Sequence, residues 1–170
     1  MIYALNSEAC WRNMVGKKEE DDKFRDVEVL LRSYALLYDE ALYSGSMIRF
    51  LNRFSKEAQA FDEEKIEQSK NIFFDFMRIC EDIDKKDFLT KTGSFNVSLF
   101  DAVFVTIAER ILSDGIENAS ITQAAFNELK DDEDFKTAIT HSTSHVESVK
   151  TRLRLARKYL YGIELPNDED

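Results

Sequence analysis

The segment LFDAVFVTIAERIL, Leu99 to Leu112, is apolar on nearly every side when wound as a helix. Such a helix has no face to offer to water, so it must be the most buried element of whatever encloses it. The rest of the chain reads as the enclosure. Val27, Leu30, Leu31, Tyr34, Leu37 and Tyr38 form one apolar stripe at helical spacing, and Met47, Phe50, Leu51, Phe54, Ala58 and Phe61 form another. A third runs through Phe73, Phe76, Met77, Cys80 and Ile83, and a fourth through Val146, Val149, Leu153, Ala156 and Leu160. With 5 glycines and 1 proline in 170 residues, turn chemistry is too sparse for a β-rich fold.

Helix boundaries are also written in the sequence. Asp62 is placed to cap a long helix, with Glu63 and Glu64 beside its positive end. Asn96 can cap the central helix, with Phe95 and Phe100 at hydrophobic-staple spacing. Ser120 with Gln123, and Ser144 with Glu147, read as capping boxes, and Asp132 as a further cap. The spacing predicts an all-α fold: one bundle of about eight helices over residues 1–163, followed by an acidic tail at 164–170.

No run of about 20 apolar residues occurs, so no membrane span is expected. The opening MIYALNSEAC lacks the parts of a signal peptide. Two cysteines, Cys10 and Cys80, are too few for a disulfide framework, and a reducing cytoplasmic setting is the simplest expectation. A net charge of −10 disfavours a surface that coats nucleic acid as a whole.

Two groups of residues invite a functional reading. Arg25, Asp26, Glu28 and Arg32 open the helix after residue 24, with Arg25, Glu28 and Arg32 on one line and Glu28 to Arg32 in the favourable (i, i+4) order. A carboxylate between two arginines is driven to a lower pKa, which argues against a general base and for a structural or interdomain ion pair. Lys150, Arg154, Arg157 and Lys158 line one face of the last helix, while Arg152 points elsewhere. The stripe fits either cations settled near a helix C-terminus or a set of phosphate contacts. His141 and His145 have a metal-like spacing, but the capping signals between them break the shared face. No phosphate loop, Cys-x-x-Cys pair or nucleophile elbow is present. No catalytic residue, cofactor or metal ligand is therefore expected.

The order of LNSEACWRNMVGKK, FRDVEVLLRSYALLY, YSGSMIRFLNRF, FNVSLFDAVFVTIAERI and FKTAITHSTSHVESVKTRLRLARKYLYG resembles the helical half of GmrSD-type proteins. These are modification-dependent restriction and phage-defence proteins whose N-terminal half is a ParB/sulfiredoxin-like domain. Arg25-Asp26-Val27-Glu28 with Arg32, and the Gly45-Ser46 to Phe50-Leu51-Asn52 segment, carry the resemblance most specifically. The family's Asp-Gly-Gln-Gln-Arg motif does not occur in this chain, nor does its His-Asn-His partner nuclease. The resemblance thus implies a non-catalytic helical module that packs on a ParB-like nucleotide-hydrolysing domain. A stand-alone interaction or regulatory domain, and a weak DNA-binding module using the last helix, are the alternatives.

Overall fold

The computed structural model describes residues 1–164, and its architecture is organised around the helix that sequence places at the centre. Nine α-helices follow one another among the described residues: α1 (Ile2–Asn6), α2 (Ala9–Met14), α3 (Arg25–Asp39), α4 (Met47–Glu57), α5 (Glu63–Ile79), α6 (Val97–Asp114), α7 (Gln123–Asp131), α8 (Glu133–Thr140) and α9 (Val146–Tyr161). Short 3-10 turns extend several of them, and the described residues contain no strand beyond one isolated bridge between Leu89 and Phe95. The expected all-α bundle is present. From residue 165 on, the acidic tail lies outside the described residues.

Helix α6 is the axle. Every residue from Ser98 to Ala108 is buried. Around it stand α3, α5, α8 and α9, while α1 and α4 pack outside α3 and α7 outside α9. Aromatic rings carry much of the contact: Phe104 meets Phe76 at 5.0 Å and Tyr34 at 5.2 Å, and Phe100 meets Trp11 at 5.1 Å. Each such side chain brings a large buried area, with an additional edge-to-face or tilted-ring preference of about 0.5–1.5 kcal/mol.

The caps test the sequence reading locally. Asp62 accepts from the Lys65 amide, Asn96 from the Leu99 amide and Asp132 from the Phe135 amide, as their positions imply. Phe95 and Phe100 lie 5.4 Å apart, closing the staple across the start of α6. The two capping boxes do not form. At α7 the cap is Thr122, whose hydroxyl accepts from the Ala125 amide at 3.1 Å. At α9 the cap position is His145, which makes no side-chain bond. The reason lies in the core. Tyr43 donates to the Ser144 carbonyl at 2.5 Å and Arg152 to the Thr143 carbonyl at 2.6 Å, so buried side chains hold the linker and delay the helix to Val146. Gly162 then ends α9 in the left-handed conformation, φ +67°, with its amide returned to the Lys158 carbonyl at 2.8 Å.

Candidate functional site

The charged line at the start of α3 is not one cluster. Arg25 is exposed and pairs backwards with Asp21 at 2.9 Å. Glu28 is exposed and forms no ion pair with Arg32. The expected Glu28–Arg32 pair is replaced by a bond across the fold, in which Arg32 Nη2 donates to Asp101 Oδ2 at 2.8 Å. Arg32 sits toward α6, so its fork turns inward while Glu28 stays in water.

Asp26 goes the other way, to the N-terminal edge. Arg12 Nη1 donates to Asp26 Oδ2 at 2.7 Å and to the Glu19 carbonyl at 3.0 Å, and Nη2 donates to Asn6 Oδ1 at 2.8 Å. Asn6 Oδ1 also accepts from the Trp11 indole at 3.0 Å, and Asp26 Oδ2 from the Asp21 amide at 3.0 Å. One guanidinium thereby ties α1, the 15–24 loop and α3 together. Burial raises the Asp26 carboxyl, but the Asp21 amide, Arg12 and the Val27 amide outweigh it and leave the pKa below its usual range.

This locked loop presents aromatic surface. Phe24 is 57% exposed and Tyr3 is 65% exposed, with their rings edge to face at 6.1 Å. Phe24 also has φ +55°, a left-handed backbone that is uncommon for a bulky residue and costs about 1–2 kcal/mol. Strain of that kind persists only where the surroundings impose it, and here the Arg12 and Asp26 bonds do so.

A second charged group lies where α3, α6 and α9 meet. Asp101 is fully buried and accepts from Ser33 Oγ at 2.9 Å as well as from Arg32. Arg152, also fully buried, brings Nη2 to 3.6 Å from the same carboxylate. Desolvation lowers the Arg152 pKa, opposed by the Asp101 charge. Two guanidiniums thus share one carboxylate, and Arg152 is the less well bonded of the two. Tyr43 and Val149 lie near this junction and line a cleft of about 400 Å³ with Leu37, Tyr38, Ala41 and Val146.

The basic stripe on α9 is partly dismantled. Arg157 donates to Glu109 at 2.8 Å and to Glu40, bridging α6 and the turn after α3. Burial works against its charge, but the bonds from Glu109 and Glu40 prevail and raise its pKa further. Lys150 and Lys158 are exposed and Arg154 is half-buried, so three of the four expected phosphate contacts remain on the surface. His141 and His145 both sit in the α8–α9 connection, exposed, with His141 bonded to Thr140 at 2.8 Å. Among the described residues, no group of three His, Cys, Asp or Glu side chains could hold a metal ion. Burial raises the Cys80 thiol well above its usual value and raises Cys10 as well, which disfavours a reactive thiolate at either. No helix among the described residues is long and apolar enough to cross a membrane.

Arg12, Asp21 and Asp101 carry these arrangements and were not singled out by their sequence setting. Asp101 had a signal: it is an acid inside a helix that is otherwise apolar all round, and a buried charge requires a partner. Compared with protein-family models, with curated proteins and with solved structures, the chain finds no match.

Proposed function

We propose that this chain is the non-catalytic helical module of a GmrSD-type modification-dependent restriction and phage-defence protein. In this reading it packs through its N-terminal edge on a ParB-like nucleotide-hydrolysing domain. This reading rests on the exposed pair Tyr3, on α1, and Phe24, at the end of the 15–24 loop, two elements that Arg12 and Asp26 tie together. Pre-organised aromatics of this kind make good interface anchors, because little rotamer freedom remains to be lost on binding. The edge coincides with Arg25-Asp26-Val27-Glu28, the part of the chain most specific to the family resemblance, and exposed Arg25 and Glu28 supply a charged rim.

DNA binding by α9 is the less favoured reading, since Arg157 is engaged by two carboxylates and the chain carries a net charge of −10. The test mixes the purified chain with a separately produced ParB/sulfiredoxin-like domain of a GmrSD-type protein and measures association by calorimetry. A complex is expected, weakened about tenfold or more by Tyr3→Ala with Phe24→Gly. No complex with the intact chain would remove the family reading. A complex indifferent to those substitutions would move the interface off this edge.

A further inference from the structure

Arg152 has no exposed surface, yet only one of its three guanidinium nitrogens has an acceptor: Nη1 donates to the Thr143 carbonyl at 2.6 Å. Nε and Nη2 are buried without a hydrogen-bond acceptor among the described residues. The Asp101 carboxylate stands 3.6 Å from Nη2, too far for a hydrogen bond. Both of its oxygens are already engaged, Oδ2 by Arg32 at 2.8 Å and Oδ1 by Ser33 at 2.9 Å. Nε and Nη2 form one edge of the guanidinium plane, the fork with which arginine holds an anion side-on. The charges of the cluster do not balance either. Arg32 and Arg152 bring two positive charges and Asp101 one negative, and no other carboxylate pairs with either arginine among the described residues. A buried charge without a full counter-charge is costly in an interior that cannot solvate it.

We infer that the Nε–Nη2 edge of Arg152 binds a small monovalent inorganic anion of the halide class. The excess in the cluster is a single charge, which one such ion cancels and a phosphate or sulfate would overshoot. Water could accept the two N–H bonds but carries no charge, so it would leave the excess in place. Asp101 would repel the ion, but the Arg32 guanidinium on its Oδ2 offsets that repulsion. Size selects the ion as well. Ser33, Asp101 and Arg152 have no exposed surface, and Tyr43, bonded to the next carbonyl of the same linker, is 7% exposed. A ligand with an organic body has no route through that packing, whereas a bare ion can be taken up as the helices close around it. The ion would complete the junction of α3, α6 and α9, and the fold's stability would then follow the anion in solution.

The test is thermal unfolding of the intact chain in sodium chloride and sodium gluconate mixed to one ionic strength, so that screening stays constant. Raising chloride from about 1 to about 100 mM should raise the midpoint by about 3 °C or more, the shift that a tenfold gain in folded population gives a chain of this size. Arg152→Met removes the edge, and its midpoint should not rise with chloride. Arg154→Met, at a half-buried position on the same helix, should keep the full rise. Should Arg152→Met fail to fold, bromide decides with the unaltered chain: crystals grown in sodium bromide should show its anomalous scattering beside Arg152 Nε and Nη2. A wild-type midpoint indifferent to chloride, an equal rise in folded Arg152→Met, or bromide bound at the surface as an adventitious ion only would overturn the site. None of these measurements involves Tyr3 or Phe24, so the N-terminal edge stands or falls by its own test.

Discussion

The two ends of the charged line on α3 look alike in sequence and behave oppositely in the fold. At the first turn, Arg25 and Glu28 stay in water and only Asp26 turns inward, to Arg12. Two turns later, Arg32 reaches a carboxylate with no exposed surface, shared with Ser33 and Arg152. An ion pair's consequence depends on how much water each partner has lost, not on how the charges are spaced along a helix. The N-terminal end uses its charge to shape a loop. The inner end uses its charge to register three helices against one another.

The largest effect should come from Asp101→Asn, which leaves the buried Arg152 and the half-buried Arg32 facing a neutral amide. A loss of about 3–5 kcal/mol is expected in urea unfolding. Arg152→Met should cost clearly less, since Asp101 keeps Arg32 and Ser33. Equal costs would show that Arg152 holds the fold as strongly as the carboxylate does, through Asp101 and the Thr143 carbonyl together, and is not a poorly bonded third member.

Next comes Arg12→Met, expected to cost about 1.5–3 kcal/mol through lost charge-assisted hydrogen bonds. Its cost should depend on pH with a definite sign. The folded carboxyl of Asp26 lies below its unfolded value, so the pair's contribution is complete above the unfolded pKa of about 4 and fades as pH falls through the folded one. Unfolding midpoints of the two proteins should therefore converge in acid. A gap that stays constant from pH 7 to pH 2 would reassign the effect to Arg12's bonds with Asn6 and Glu19.

Arg157→Ala should lower stability by about 1–2 kcal/mol, because Glu40 and Glu109 lose their common cation. Replacing Lys150, Arg154 and Lys158 together while keeping Arg157 should change it by under about 1 kcal/mol. Any residual DNA affinity should vanish with those three and not with Arg157. Loss of DNA binding on Arg157→Ala at unchanged stability would restore the four-residue stripe.

Phe24→Gly should be neutral or stabilising by up to about 1 kcal/mol, since glycine accepts the left-handed backbone without a Cβ penalty. A marked loss of stability would show that the ring is structural and would weaken the edge as a docking surface. The smallest effect belongs to Arg25→Ala: Arg25 itself is exposed, and Asp21, four residues back, keeps Lys17 and the Lys23 amide, so the unfolding midpoint should move little.

The buried status of α6 was legible because an all-round apolar helix has only one possible environment. The caps at Asp62, Asn96 and Asp132 were legible because each bond closes within three residues. The box at Ser144 and Glu147 obeyed the same local rule and failed. Tyr43 and Arg152, distant or downstream in the chain, bind the linker's carbonyls and shift where α9 begins. Arg157 in the α9 stripe was drawn away in the same manner: it shares a face with Lys150 by spacing, but two carboxylates from other elements engage it.

Periodicity and local capping were enough to establish an all-helical chain wound around Leu99–Leu112, because burial of a helix face and closure of a cap involve neighbours within one or two turns. The partners of the charges were decided only in three dimensions. Arg32 meets Asp101 across 69 positions, and Arg157 meets Glu40 across 117. A guanidinium reaches whichever carboxylate the packing of the helices brings within about 3 Å, and spacing along a single helix holds no record of that.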